Sequence, residues 1–214
     1  MLFIHFQTNE SLVASLLRLK ENYCHLEETE RALTNDGKLN ELIILYQTKG
    51  LHRKALESLQ KQRNTDRIVN YLQHLGREEI ELILEFATIV FQEDKEKGLK
   101  IFTEDIQEVE QLSRPRVYDY LTKKFKDSVI PYLEHVIHVW GDRNPLFHNA
   151  LIHQYREKIM QEKAEESKIL YRQKLLAFLN SSAYYTPDIV LVHFPYNGNR
   201  IKYFLTLFSI LKIQ

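Results

Sequence analysis

Residues 39–59 read LNELIILYQTKGLHRKALESL, and their hydrophobic pattern decides the fold. Apolar side chains recur at steps of three and four, the spacing that places them on one face of an α-helix. They are Leu39, Leu42, Ile43, Leu45 and Tyr46 in the first run, and Leu51, Ala55, Leu56 and Leu59 in the second. Gly50 supplies a left-handed stop between the two runs. The stretch therefore predicts a helical hairpin, two antiparallel helices joined through Lys49 and Gly50.

The same pattern continues along the chain. An apolar run from Ile68 to Leu75 leads to Gly76, and another extends from Ile80 to Val90. The similar strings KALE at 54–57 and KGLK at 97–100 lie 43 positions apart, close to the ~40-residue period of long helical-pair repeats. We therefore expect an all-α fold, an α-solenoid of helical hairpins with about nine helices, in which successive hairpins stack.

Capping and turn residues mark the later helices. Ser113-Arg114-Pro115 has the form of an N-cap followed by a proline in the first turn. Asp127 or Ser128 is expected to cap the next helix, and Gly141 to end it. Asn144-Pro145 then predicts the start of a further helix.

The charge and cysteine content limit the classes of partner. The 214 residues carry 29 Lys and Arg against 29 Asp and Glu, so no net positive charge is present to attract nucleic acid. Partners are therefore expected to be proteins. The single cysteine, Cys24, cannot form an internal disulfide and fits a reducing compartment such as the cytosol.

Neither end of the chain predicts a secretory signal or a membrane span. Met1–Phe6 has no basic region ahead of its short apolar run, so we expect no signal peptide. Tyr203–Leu211 is apolar but lies between Lys202 and Lys212, and it falls well short of the roughly 20 residues that span a bilayer. Because both ends are apolar, we expect a piece of a longer solenoid.

No residues form an arrangement typical of an enzyme active site. His135 and His138 lie three apart with Glu134 outside the pair, whereas a zinc-protease helix needs His-Glu-x-x-His. We interpret both histidines as lying at the rim of an apolar helix face. His148 and His153 are five apart and are interpreted as structural. The six glycines form no phosphate-binding loop, so no catalytic residue, cofactor or metal site is predicted.

Three short patterns have ordinary structural explanations. Asn9-Glu10-Ser11 and Asn180-Ser181-Ser182 match the glycosylation sequon, but so short a pattern arises often by chance. The basic run Lys123-Lys124-Phe125-Lys126 suits a helix C-terminus, where positive charge is favourable, better than a lipid or nucleic-acid patch. Tyr184-Tyr185 is expected to pack within the fold instead of stacking on bases.

Longer strings of sequence identify a family. They are ELIILY and GLHRKAL within 41–56, YLQHLG at 71–76, GLKIFTED at 98–105, IPYLEHVIHVW at 130–140 and YRQKLL at 171–176. Together they resemble the vacuolar protein sorting thirty-nine (Vam-six-like) family, subunits of the HOPS endolysosomal tethering complex. The resemblance runs from about Leu12 to Pro195, and it is closer than that to the paralogous transforming growth factor β receptor-associated protein.

The resemblance implies a particular domain organisation. Members of the family have an amino-terminal β-propeller, a clathrin-heavy-chain-like helical-repeat rod and a carboxy-terminal partner-binding segment. This chain resembles the central rod alone, which we assign to residues 1–196. Residues 197–214 depart from the family pattern and are assigned to a divergent tail, either unfolded or artefactual. The family's GTPase-facing and complex-docking surfaces lie in the other segments, so we do not expect them in this chain.

The resemblance also implies a function without catalysis. It predicts a scaffold segment that acts in docking and fusion of late endosomes, autophagosomes and lysosomes, and in intracellular protein transport. Expected partners are the other HOPS subunits and, for the full-length protein, late-endosomal Rab machinery, but not nucleic acid. The expected location is cytoplasmic, peripheral on late endosome and lysosome membranes through those partners.

Two other functions are compatible with the sequence. The first is a free-standing helical-repeat adaptor that binds a short peptide motif in its concave groove. The second is a helical metalloenzyme built on His135, His138 and nearby carboxylates. Binding to a peptide array would favour the adaptor, and metal retained after purification would favour the metalloenzyme.

Overall fold

A computed structural model describes residues 10–19 and 22–186, and all regular structure in these ranges is helical. They contain twelve α-helices, more than the expected number of about nine, partly because α7 and α8 are very short. The helices are α1 (Glu10–Leu17), α2 (Leu26–Asn35), α3 (Leu39–Thr48), α4 (His52–Lys61), α5 (Thr65–Gln73), α6 (Ile80–Glu93), α7 (Lys95–Lys100), α8 (Gln107–Glu110), α9 (Arg114–Lys124), α10 (Val129–His138), α11 (Pro145–Gln161) and α12 (Glu165–Ser181). Short 3₁₀ helices at Arg77–Glu79 and Lys126–Ser128 precede α6 and α10. The all-α prediction is confirmed.

The chain divides into two compact units between Ser113 and Arg114. The first unit holds α1 to α8, and the second holds α9 to α12. The border lies within the span 1–196 that the sequence assigns to one rod. Residues 187–214, which hold the end of the predicted rod and the whole predicted tail, lie outside the described residues.

Helices of the first unit pack mainly on their neighbours in sequence. Helix α3 packs on α1, α2 and α4, and the pairs α4–α5, α5–α6 and α6–α7 follow in order. The largest fully buried side chains of this unit are Leu17, Leu33, Leu45, Leu56, Leu59, Leu72, Ile83, Ile101 and Phe102. Each such leucine or isoleucine stabilises the fold by about 1.5–3 kcal/mol relative to an exposed one. Neighbour-to-neighbour packing is what stacked helical hairpins require.

The turn predicted at Gly50 has the geometry that ends a helix through a left-handed residue. Gly50 has φ 70°, a conformation in which a side chain is unfavourable. The amide of Leu51 donates to the carbonyl of Tyr46 at 2.8 Å, and the amide of Gly50 donates to that of Gln47 at 3.2 Å. These two bonds satisfy the carbonyls of Tyr46 and Gln47 in the last turn of α3. The predicted hairpin of α3 and α4 is therefore confirmed.

The two similar strings 43 positions apart occupy related places. KALE lies in α4, which packs on α3, and KGLK lies in α7, which packs on α6. In each case the string belongs to the second helix of a packed pair. Gly98 of α7 is buried against the ring of Phe91, which brings the backbone of α7 close to α6.

The second unit continues the same pattern with longer helices. Helix α10 packs on both α9 and α11, and α11 packs on α12. The side chain of Asn144 accepts from the amide of Leu146 at 3.0 Å and Pro145 follows it, so the predicted cap is confirmed. Ser128 occupies the predicted cap position of α10, but its side chain makes no capping bond. It is the buried end of a 3₁₀ turn that leads directly into α10.

Candidate interaction surfaces

Helix α1 exposes a row of leucines. Leu12 and Leu16 are 48% and 38% exposed, and Leu19, just beyond the helix, is 56% exposed. Their spacing of four and then three places them on one side of the segment. Val13 and Leu17, on the adjoining face of the helix, are buried. We name Leu12, Leu16 and Leu19 the α1 face, and such an apolar row in contact with solvent is typical of a protein contact surface.

Exposed apolar residues of the second unit are more scattered. Val139 and Leu146 lie in or beside the turn before α11, and Met160, Ile169 and Leu170 lie near the turn after it. Isolated exposed apolar side chains are common on protein surfaces. The α1 face is therefore the more regular candidate.

An open depression of about 400 Å³ lies in the first unit, beside the start of α4. Its lining residues are Gly50, Leu51, His52, Arg53, Lys54, Glu79, Glu81 and Leu82. Arg53 donates to both carboxylate oxygens of Glu85 on α6, at 2.6 and 2.7 Å. This contact holds the pKa of Glu85 below its usual range. The pair joins α4 to α6 at the surface, where such ion pairs contribute little stability.

His135 and His138 do not converge on one point. The ring of His135 meets the edge of Trp140, with 4.7 Å between centroids, and that of His138 meets Phe178 at 5.9 Å. Each histidine therefore packs on a different aromatic neighbour, in keeping with the interpretation that they lie at the rim of an apolar face. Within residues 10–19 and 22–186, no three His, Cys, Asp or Glu side chains are grouped as a metal site would require.

His148 is a core histidine with both ring nitrogens engaged. It is 3% exposed, its Nδ1 lies 2.7 Å from the hydroxyl of Ser182, and its Nε2 lies 2.8 Å from the carbonyl oxygen of Asp142. Since a carbonyl only accepts, Nε2 is assigned the proton. These bonds tie α11 to the end of α12 and to the turn after α10. The structural role that the sequence indicates for His148 is confirmed.

The basic run and the tyrosine pair also have structural contacts. Helix α9 ends at Lys124, so the run lies at a helix C-terminus as predicted. Lys123 binds Asp119 at 2.7 Å, and the ammonium of Lys124 lies 5.4 Å from the ring centre of Tyr120. Tyr184 packs edge-on against His148, and its neighbour Tyr185 donates to a backbone carbonyl at 3.4 Å.

Of the two glycosylation sequons, only the one at Asn180 lies entirely within the described residues. Asn180 is exposed within α12, while Ser182 of the same sequon binds His148. Asn9 of the other sequon lies outside the described residues.

Sequence patterns missed a cluster around Arg114, the first residue of α9. Arg114 binds Asp142, whose side chain is only 11% exposed, and its guanidinium lies 5.3 Å from the ring centre of Trp140. Tyr132 is buried close by, and burial raises its pKa above the usual range. The partners are 28 positions apart, too far for helical spacing to relate them.

Comparison with known proteins decides the family. Residues 1–91 match the family model described as vacuolar sorting protein 39 domain 1. The human Vam6/Vps39-like protein is 46% identical over 220 residues, which cover 91% of this chain and 25% of that protein. The Drosophila melanogaster vacuolar protein sorting-associated protein 39 homolog is 48% identical over 208 residues, 90% and 24% of the two chains. The chain belongs to the Vps39 family.

The Vps39 relationship extends to more distant relatives and confirms the family that the sequence strings indicate. The Caenorhabditis elegans Vps39 homolog is 34% identical over 221 residues, 88% of this chain and 24% of that protein. This chain spans about a quarter of the length of the curated Vps39 relatives that it matches. No solved structure matches it. Among the described helices, none combines the length and apolar character needed to cross a membrane.

Proposed function

We propose that this Vps39-family chain is a non-catalytic scaffold segment in vacuolar and endolysosomal protein sorting. The observation that carries the proposal is its identity of 46% and 48%, over 91% and 90% of its length, to two proteins whose names include Vps39 or vacuolar protein sorting. The architecture supports it. Helices that pack mainly on their sequence neighbours present long exposed faces, which suit protein contact better than enclosed chemistry.

We extend the proposal to the HOPS tethering complex. In that setting the chain is part of a subunit that helps late endosomes, autophagosomes and lysosomes to dock and fuse. Its helical hairpins, in the rod that we propose for residues 1–196, provide spacing and protein contact. Linked modules raise the effective concentration of one membrane near the other without catalysis at any residue. The remaining HOPS subunits and late-endosomal Rab machinery are the partners, and they hold the cytoplasmic protein on the membrane.

The α1 face is the contact surface that the structure favours within the first unit. Leu12, Leu16 and Leu19 are exposed, while Val13 and Leu17 of the same helix are buried. Apolar side chains at the centre of an interface contribute most when a partner removes them from water. We therefore assign the α1 face to contact with another subunit of the tethering complex.

Recovery of the complex tests this function. The tagged 214-residue chain would be captured from cell lysate and probed with antibodies to the other HOPS subunits. We expect recovery by the full chain and by a version that ends before Asn197. Replacement of Leu12 and Leu16 by Ser should weaken recovery, because it removes apolar side chains from the α1 face. The fold should be kept, since neither replacement alters a buried side chain.

Two controls make the result decisive. Leu133→Asp places a charge at a fully buried position of α10 and should abolish both folding and recovery. Circular dichroism melting of each variant separates loss of fold from loss of contact. A chain that melts cooperatively and recovers no HOPS subunit would contradict the proposed function.

A further inference from the structure

A single carboxylate joins three consecutive helices in the first unit. The hydroxyl of Tyr46 on α3 donates to Oε1 of Glu30 on α2 at 2.7 Å. The ammonium of Lys54 on α4 donates to both carboxylate oxygens of Glu30 at 3.1 Å. The same ammonium lies 5.4 Å from the ring centre of Tyr46. All three side chains therefore contact one another.

The second unit contains the same arrangement on another three consecutive helices. Tyr155 on α11 donates to Oε1 of Glu134 on α10 at 2.6 Å. Lys174 on α12 donates to the same oxygen at 2.8 Å. In both units the tyrosine comes from the middle helix, the glutamate from the helix before it and the lysine from the helix after it.

The two arrangements also agree in their burial. Tyr46 and Tyr155 are 5% and 3% exposed, while the side chains of Glu30 and Glu134 are both 28% exposed. The two lysine side chains are nearly half exposed. A buried hydroxyl needs a partner, and a carboxylate is a strong acceptor at the edge of the core. Burial and the adjacent glutamate raise the pKa of both tyrosines.

We infer that the two units share one conformational device, a Glu–Tyr–Lys clasp that fixes the first and third of three successive helices against the middle one. Helices α2 and α4 both pack on α3, as α10 and α12 both pack on α11. The carboxylate lets the outer two helices bind each other over the buried tyrosine. Opening of either outer helix therefore removes a contact from the other.

Sequence spacing conceals this correspondence. The glutamate and lysine are 24 positions apart in the first unit and 40 apart in the second. Helix α11 extends over 17 residues and α3 over 10, so equal places in space fall at unequal places in sequence. The clasp follows the order of the helices and not a fixed period.

Removal of the lysine charge tests the clasp in the full chain. Lys54→Met and Lys174→Met keep most of the apolar stem and delete the ammonium. Amide hydrogen exchange should become about two- to fivefold faster in α2 as well as α4 for the first variant, and in α10 as well as α12 for the second. Lys54→Arg and Lys174→Arg keep the charge, so these variants should retain most of the parent chain's protection from hydrogen exchange.

A matched lysine distinguishes a clasp from an ordinary surface pair. Lys123 binds Asp119 within the single helix α9, so Lys123→Met should change exchange in α9 alone. The inference is overturned if Lys54→Met leaves α2 unchanged, or if Lys174→Met leaves α10 unchanged. It is also overturned if only one unit responds, because a shared device requires the same coupling in both.

The tyrosines provide an independent variant. Tyr46→Phe and Tyr155→Phe remove only the buried hydroxyl, and they should speed exchange in the same two outer helices of their unit. Faster exchange confined to the middle helix would contradict the coupling, since it would make the hydroxyl a local contact of α3 or α11.

Discussion

The imidazole of His148 stacks on the phenyl ring of Phe178, with 5.5 Å between ring centroids and 25° between ring planes. Both side chains are 3% exposed, and they join α11 to α12. The ring nitrogens of His148 bind Ser182 and the carbonyl of Asp142. One side chain therefore combines apolar packing with two hydrogen bonds that join different elements.

His148→Leu is expected to destabilise the chain by ~1–3 kcal/mol. Leucine can replace part of the packing, but it leaves the Asp142 carbonyl and the Ser182 hydroxyl without this partner, and a buried unsatisfied group is costly. Urea unfolding followed by circular dichroism measures the change. His25→Leu, at an exposed position, is the matched control and should have little effect. A stability equal to that of the parent would mean that water satisfies both groups.

Gly98→Ala is expected to destabilise the chain although helix propensity favours alanine. Gly98 lies in α7 without a positive φ, so propensity alone would stabilise the variant by ~1 kcal/mol. A Cβ at this position would lie 2.6 Å from Cδ1 of Phe91, whose ring is 2% exposed. Overpacking of this kind costs about 1–3 kcal/mol. Thermal and urea unfolding would measure the sign of the change.

A double variant identifies the cause of the Gly98 effect. In a Phe91→Leu background the Cβ has more room, so Gly98→Ala should cost less than it does in the parent chain. An equal cost in both backgrounds, or a stabilising Gly98→Ala, would show that Phe91 is not what requires glycine here.

The hydroxyl of Tyr46 is expected to stabilise the fold less as the pH falls into the acid range. The hydrogen bond from Tyr46, followed by Lys54, lowers the pKa of Glu30 below its ordinary value of 4.5. A lowered folded-state pKa gives stability that is complete above the unfolded value and is lost as pH falls through the folded one. The difference in unfolding free energy between parent and Tyr46→Phe should therefore shrink from about pH 7 to about pH 3.5. A constant difference would contradict this linkage.

Helix ends that depend on one or two adjacent residues could be predicted from the sequence. Gly50, Gly76 and Gly141 all have positive φ, and Asn144 with Pro145 caps α11. Such signals are local, because the residue type itself determines the backbone or supplies the cap. By contrast, the sequence did not show that Ser128 would make no capping bond. Ser128 ends a 3₁₀ turn, and the local sequence does not specify that turn.

Contacts among three helices could not be predicted in the same way. The clasps join residues 16 to 40 positions apart, and their spacing changes with helix length. A partial signal existed, since Glu134 is the one carboxylate within the largely apolar stretch 129–140. A charge in such a helix needs a partner, but the sequence does not say that Tyr155 and Lys174 supply it.

Arg63 presents the opposite case, a left-handed helix end without glycine. It has φ 52° and follows Gln62, the C-cap of α4. Its amide donates to the carbonyl of Gln60 at 2.9 Å, as the amide of Gly50 does to Gln47 at the end of α3. The left-handed conformation costs a residue with a Cβ about 1–2 kcal/mol. The side chain of Arg63 is exposed, so burial does not require an arginine at this position.

Arg63→Gly is therefore expected to stabilise the chain by ~0.5–1 kcal/mol, after the greater unfolded-state freedom of glycine is subtracted. Arg63→Ala removes the charge but keeps the Cβ, so it should leave stability nearly unchanged. Lys61→Gly, two positions earlier in the last turn of α4, should instead destabilise by up to ~1 kcal/mol. Urea unfolding of the three variants gives the order, and an Arg63→Gly chain no more stable than Arg63→Ala would mean that the backbone at this turn carries no such strain.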